Sequence, residues 1–446
     1  MTEASLAKVR CAKCGVKSVW KEGFRLFNSF FDPRLACPEC YAESKTKVEW
    51  VVLLVGAICG AAGIVVAIFA PEDALPLHEI AAILLVLPLL TVMTLIHELG
   101  HMVAACLVGD RVFSITLGWF GKPIVKFRRY GIAFLITSVP AGGMVLSASP
   151  NPNWFRLRRF LVISAGPSIN FLGLMASLAC AKQAQPGSFV DILSQGSAWA
   201  NGILLFGALL PYRSSFGLGT VQSDGLLLLT VPFYSQKQIA EFIAAYFLLE
   251  AANVMEQNDP VAAHRWCERG LKIAPEQMHL KNYLGVVLLY LNRFAEAKLV
   301  FHELLNSPKL EPTIRALLWS NLAYADVCLE DETLLGEANQ YSAQAMDWLP
   351  WVPAIMGTRG AVLLMLNRLD EAIDLLERAC DKHTEEKCKA IDACFLTMAL
   401  ARLNELQTAG EMYDYANSLD SDCHWLDKAK GELTLAQSRP TPVTNA

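Results

Sequence analysis

Residues 91–105 read Thr91-Val92-Met93-Thr94-Leu95-Ile96-His97-Glu98-Leu99-Gly100-His101-Met102-Val103-Ala104-Ala105. Three ionisable side chains, His97, Glu98 and His101, stand inside an apolar run that starts at Ile80 and continues to about Val108. The length and apolar content of that run predict a membrane-spanning helix. On a helix, positions i and i+4 share a face. The two imidazoles can therefore reach one metal ion, with Glu98 beside them to take a proton from a metal-activated water. Ionisable groups inside a span are costly, so three together point to chemistry rather than packing. A catalytic zinc takes three protein ligands and keeps one position open. Asp224, in Ser223-Asp224-Gly225, is the candidate third ligand. It follows the breaker Pro211 and abuts the uncharged Leu226–Leu229, whereas Glu49, Glu72, Asp73, Glu79 and Asp191 fall at span edges or in outer loops. The predicted reaction is peptide hydrolysis: zinc polarises a carbonyl and acidifies water, while Glu98 carries the proton to the leaving amine.

Further uncharged runs flank this one: Trp50–Ala70, Phe160–Ala181 and Ile192–Tyr212. Each approaches the roughly 20 helical residues that cross a bilayer, so spans are predicted at about 50–70, 80–108, 160–181 and 192–212. Nine Lys/Arg precede the first span, none lies in 71–79, eight lie in 109–159 and one in 182–191. The positive-inside rule then puts the N-terminus, the 109–159 loop and everything after Arg213 in the cytoplasm. His97 lies 13 residues before Asp110, about 20 Å along a helix at 1.5 Å per residue. The metal would sit within the bilayer, so a substrate helix must partly unwind to expose a peptide bond.

The whole chain has 446 residues, 54% hydrophobic and 18% charged, with net charge −5. That composition excludes a disordered chain and carries no basic footprint for nucleic acid. Thirteen cysteines, an odd number and mostly scattered, suit a reducing compartment rather than a secreted disulfide framework. The first 47 residues are polar and basic, and no cleaved signal peptide is expected there.

The chain between about 48 and 235 resembles the site-2 protease family of intramembrane zinc metalloproteases. Its landmarks, in order, are His97-Glu98-Leu99-Gly100-His101; Gly118-Trp119-Phe120-Gly121-Lys122-Pro123; Val139-Pro140-Ala141-Gly142-Gly143; Ala165-Gly166-Pro167-Ser168-Ile169-Asn170; and Leu209-Leu210-Pro211 with Ser223-Asp224-Gly225. The resemblance implies zinc ligands at His97, His101 and Asp224, an acid/base at Glu98, and substrate contacts at Asn170, Gly142 and Gly143. Ala208 stands where the family places an asparagine before Leu-Leu-Pro, with Asn170 and Asn201 as the available substitutes. The gap from Pro211 to Asp224 is long for the family, and no PDZ domain fits between the spans. Residues 111–146 read as β-rich runs broken by Gly and Pro. This hairpin is expected either to pair with extended substrate or merely to cover the site.

Before the spans, Cys11-x-x-Cys14 and Cys37-x-x-Cys40 form two knuckles 22 residues apart. Four thiolates so spaced predict a structural zinc ribbon, with a rubredoxin-like iron site or redox pairs as alternatives. So short a segment needs metal to fold. After the spans a 34-residue period appears, in Gly285/Ala297/Phe301, Gly360/Ala372/Leu376/Ala379, Ala323/Ala338/Ala345 and Ala263/Gly270/Pro275. Small residues at helix crossings with this period resemble tetratricopeptide repeats, four to five in number, and would bind peptides or partner proteins; an unrelated helical bundle is the alternative.

The expected architecture is mainly α. A zinc-ribbon-like module at 1–47 precedes a polytopic helical membrane domain with a small β-sheet at 48–235. A soluble α-solenoid at 236–437 and a disordered tail at 438–446 follow. The expected function is regulated intramembrane proteolysis of membrane-anchored proteins, with catalytic and structural Zn2+, at the plasma or inner membrane of a bacterium. The repeats would recruit or gate substrate. The competing readings are a membrane-embedded scaffold with a dead site and a tethered protease acting on soluble substrates.

Overall fold

The computed structural model describes residues 8–11, 13–19, 25–28, 32–69, 71, 74–118, 123–137, 142–216, 219–308 and 310–438. Residues 119–122 and 138–141 of the glycine-marked segments, Lys21 and the tail from 439 onward lie outside them. Two compact units divide the chain: Pro38–Asn253 with Arg269–Gln277, and Met1–Cys37 with Val254–Glu268 and Met278–Ala446.

Two antiparallel pairs open the chain, β1 (Val9–Arg10) with β2 (Lys17–Ser18) and β3 (Arg25–Asn28) with β4 (Asp32–Ala36). The long apolar runs then become α1 (Pro38–Phe69) and α2 (Leu75–Leu107). Pro76 lies in the first turn of α2, where its missing N–H costs nothing. Gly109, at φ +80°, ends it; the Asp110 N–H returns to the Ala105 carbonyl at 2.8 Å, as in a glycine-terminated helix. In α1, Gly60 lies against the Pro88 ring of α2 and Gly63 against Leu85, close approaches that any larger residue would obstruct.

Between the apolar helices lies the β-rich stretch: β5 (Arg111–Leu117), β6 (Pro123–Arg129), β7 (Ile132–Thr137) and β8 (Gly143–Ala148). They form one sheet in the order β6-β7-β5-β8, with β5 parallel to β7 and antiparallel to β8. Tyr130 and Gly131, both at positive φ, make the two-residue turn joining β6 to β7, the twist such hairpins favour. Next come α3 (Phe155–Gln183) and α4 (Phe189–Leu209), the latter capped by Ser188. A hairpin of β9 (Arg213–Phe216) and β10 (Gly219–Gln222) leads into α5 (Asp224–Thr230) and α6 (Gln236–Met255).

Among the described residues, Pro76–Leu107, Phe155–Gln183, Phe189–Leu209 and Gln236–Met255 are long and apolar enough to cross a membrane, and Leu54–Phe69 is a shorter apolar stretch. The expected spans at 80–108, 160–181 and 192–212 thus fall in α2, α3 and α4. The expected boundary at 235/236 is not where the compact units part. Most of α6 belongs to the unit holding α2–α5: Phe242 stacks on Tyr234 and approaches Phe155, Tyr246 meets Phe113 edge-on, and buried Glu250 pairs with Arg111 at 2.5 Å. The physical reason is that three of these partners, Phe155, Phe113 and Arg111, lie about 90 to 140 positions upstream in sequence.

After α7 (Pro260–Ile273), the repeats fold as antiparallel pairs. These are α8 (Met278–Tyr290) with α9 (Phe294–Leu305), α10 (Pro312–Cys328) with α11 (Leu335–Trp348), α12 (Pro353–Met365) with α13 (Leu369–Lys382), and α14 (Glu386–Arg402) with α15 (Leu406–Leu419). A last helix, α16 (Leu426–Gln437), packs on α14 and α15. The small residues act at the crossings: Gly285 lies on the Phe301 ring and Gly360 on Leu376, while Ala297, Ala323, Ala338, Ala345 and Ala372 are fully buried. Asn258, Asn292, Glu330, Asn367 and Asn404, all at positive φ, mark successive inter-helix turns. Asparagine tolerates that conformation best among residues with a Cβ. Spacings of 34 to 38 between them show that the period is not strict.

Candidate active site

His97 and His101 lie one turn apart on α2, and their Nε2 atoms are 3.1 Å from each other. Asp224 is the first residue of α5, and its Oδ2 lies 3.1 Å from His97 Nε2 and 3.4 Å from His101 Nε2. Two histidines and one carboxylate separated by 127 positions therefore meet as a triangle of donor atoms. Both imidazoles are held from behind. His101 Nδ1 donates to the Val162 carbonyl of α3 at 2.7 Å, and His97 Nδ1 bonds the Asn170 side-chain oxygen. With each Nδ1 hydrogen so committed, both Nε2 atoms point lone pairs at one another and at a carboxylate oxygen.

Such a set repels itself unless a proton or a metal ion lies between its members, and its spacing fits a metal ion. Donors at about 2.0–2.1 Å from a tetrahedral zinc stand about 3.3 Å apart, within the observed 3.1–3.4 Å. Gly166 of α3 leaves the space beside the donors open. A Cβ there would lie 2.6 Å from His97 Nε2 and nearer still to His101 Nε2. Gly100 of α2 lets the helices close: its own Cβ would meet Ile169 at 2.6 Å and the Ala165 carbonyl at 3.2 Å.

Asp224 arrives by a built route. Ser223 Oγ donates to the Leu210 carbonyl at 2.6 Å and accepts from the Tyr212 and Leu226 amides, so one hydroxyl staples the end of α4 to the start of α5. The Gly225 position overlaps the Leu209 carbonyl so closely that no side chain fits. This is the steric reason for glycine after Asp224. The long gap from Pro211 to Asp224 holds the β9–β10 hairpin.

Glu98 is buried on the same helix, and Gly143, the first residue of β8, sits against it; a Cβ there would lie 2.6 Å from Glu98 Cγ. Gly143 thus borders the acid, while Gly142, at φ +98°, accepts from the Gly118 amide at 2.7 Å. Asn170 is fully buried and spends its oxygen on His97 and its amide on Asn201, so it holds His97 from behind rather than facing an open groove. Val162, Gly166 and Asn201 were not singled out as metal-site residues from the sequence. Gly166 carries a visible signal in its glycine–proline pair and Asn201 as a substitute for the family asparagine, whereas Val162 carries none.

The Sγ atoms of Cys11, Cys14, Cys37 and Cys40 form a second cluster, within 4.8 Å of one another. Cys14 and Cys37 sulfurs are 3.7 Å apart, close to the about 3.8 Å expected for thiolates on a tetrahedral zinc. Burial pushes the Cys11 thiol up, but backbone N–H groups of Cys14, Cys37 and Lys13 outweigh it and bring it down to about 6, which favours the thiolate a metal needs. The module is pinned to the end of α11: Ser18 Oγ donates to the Trp348 carbonyl at 2.7 Å, the Val19 amide to the Asp347 carbonyl at 3.0 Å, and Lys8 pairs with the Asp347 carboxylate. A Cys37→Ser variant should lose one equivalent of metal per chain, read by elemental analysis against the two equivalents expected of the wild type.

Residues 85–407 match the description Peptidase family M50. A candidate zinc metalloprotease of Synechocystis sp. is 31% identical over 140 residues, 27% of this chain and 38% of that protein. One of Nostoc sp. is 36% identical over 104 residues, 20% and 28% of the two chains. One of Chlamydia pneumoniae is 32% identical over 145 residues, 27% and 23%. The chain spans less than half the length of each of these relatives. Among solved structures, a tetratricopeptide (TPR) protein of Thermus thermophilus is similar over 44% of this chain and 98% of its own, at 19% identity and TM-score 0.34. With the match covering most of its length, the chain belongs to peptidase family M50, the site-2 protease family.

Proposed function

We propose that the chain is a zinc-dependent intramembrane endopeptidase that hydrolyses a peptide bond in a membrane-anchored protein. The carrying observation is the meeting of His97 Nε2, His101 Nε2 and Asp224 Oδ2 at 3.1–3.4 Å, with Glu98 buried next to them on an apolar helix. Zinc held there supplies Lewis acidity to a carbonyl and to the attacking water. Glu98 accepts the proton of that water and returns it to the leaving amine. Val162 and Asn170 keep the two rings turned toward the metal, as outer-shell partners do. β8 lies at the edge of its sheet, and its first residue borders Glu98. These facts support its adding an extended substrate as a further strand, by main-chain hydrogen bonds that demand no particular sequence.

The four thiolates hold a second, structural zinc. The positive-inside asymmetry supports cytoplasmic termini in a bacterial plasma membrane. The repeats recruit or gate the substrate through a bound protein segment.

The test is the purified chain in liposomes with a single-span reporter. Cleavage near the cytoplasmic side should cease on treatment with a zinc chelator and return with Zn2+, and a soluble unstructured peptide should be cut far more slowly. Chelator-insensitive cleavage, or none from zinc-loaded protein on any anchored reporter, would overturn the proposal.

A further inference from the structure

Asn201 of α4 makes no contact with the three donor atoms, yet one backbone carbonyl makes it decisive for them. Its side-chain Nδ2 donates to the Ser197 carbonyl at 3.0 Å. A carbonyl only accepts, so this bond settles which end of the Asn201 amide is which. Oδ1 must face the other way, where it accepts from Asn170 Nδ2 at 3.1 Å. That in turn leaves Asn170 Oδ1 toward His97 Nδ1, so the hydrogen of the neutral ring is on Nδ1 and the lone pair of Nε2 faces Asp224. Asn170 and Asn201 are buried at 0% and 2% exposure, so water does not compete. Gly173 makes the space: a Cβ there would lie 2.7–3.0 Å from the terminal atoms of the Asn201 amide.

We propose that Asn201 is a positioning residue which, acting through Asn170, holds His97 in the orientation and tautomer that bind metal. This rests on reading His97 as a metal ligand. Were the pair mere packing, an apolar isostere at 201 would be nearly neutral for metal binding. In a relay, Asn170 without Asn201 is free to turn its amide nitrogen toward His97 Nδ1 and present a donor to a donor.

The experiment uses the full chain in detergent. Zn2+ affinity is measured by competition with a chelator, and the histidine–carboxylate site is followed by the visible bands of Co2+ apart from the sulfur-to-cobalt charge transfer of the thiolate site. Asn201→Leu should weaken Zn2+ at the histidine site about 10–100-fold, the range for outer-shell partners of a ligating histidine, and leave the thiolate site unchanged. In an Asn170→Asp background both ends of the 170 side chain accept, so Asn201→Leu should there have no effect on Zn2+ affinity. Asn201→Asp, which as the neutral acid can donate to Ser197 and accept from Asn170, should retain wild-type affinity and carries the test if the leucine variant does not fold. Wild-type affinity in Asn201→Leu, an equal loss in both backgrounds, or a loss in Asn201→Asp would overturn the relay. A wild-type protein no better at binding Zn2+ than His97→Ala would overturn the metal reading as well as the relay, an outcome distinct from the other three.

Discussion

Replacing Gly166 with alanine should abolish metal binding at the histidine site while leaving the protein folded. The added methyl would lie 2.6 Å from His97 Nε2 and nearer to His101 Nε2, in the space between the donors. Neither ring can retreat. His101 is held by the Val162 carbonyl and His97 by Asn170, while Gly100 against Ala165 and Ile169 leaves the two helices no slack. Overpacking of this kind costs about 1–3 kcal/mol, tolerable for a helical bundle. For the ion the obstruction is direct, and a loss of about 100-fold or more in affinity is expected, at or beyond the upper end for outer-shell changes. Zinc per chain should fall from two to one, and reporter cleavage should reach background. Elemental analysis with circular dichroism as the folding control checks this; two zinc ions in a folded Gly166→Ala protein would contradict the site as described.

The second large effect concerns the proton. Glu98→Gln keeps size and shape beside Gly143 but removes the group that accepts and returns a proton. General acid–base catalysis contributes about 10²–10⁴-fold, so cleavage of the anchored reporter should drop by that factor with zinc content unchanged. A membrane proteome from cells carrying this variant should accumulate uncut spans. The same variant separates an active protease from an inactive scaffold. A scaffold would show equal, background turnover for wild type and variant, and its partner binding would be indifferent to the change.

What the sequence made legible follows from periodicity. His97 and His101 are four apart, so any helix puts them together. Asp224 stands out because a charge abutting Leu226–Leu229 needs a partner. Gly285, Gly360 and the buried alanines announce helix crossings because only small residues fit there. What stayed hidden has no side-chain signature. The Val162 and Ser197 carbonyls act through backbone atoms that every residue carries. Asn170 reads from the sequence as a substrate contact, because its bond to His97 depends on how α3 packs against α2. The place of α6 depends on Arg111, Phe113 and Phe155, residues too far upstream for local pattern to connect. The asparagines at the repeat turns were visible but uneven in spacing, so they did not register as a period.

One hydroxyl has a wider consequence. Because Ser223 ties Leu210 and Tyr212 to Leu226, the peptide leaving α4 and the peptide entering α5 are clasped at the neck of the β9–β10 hairpin. Loop-closure entropy grows only slowly with length, so the hairpin beyond this clasp can lengthen or shorten without moving Asp224. Evolution can thus diversify that hairpin, and an engineer can graft an epitope or a reporter domain there, while the chemistry a few residues away stays fixed.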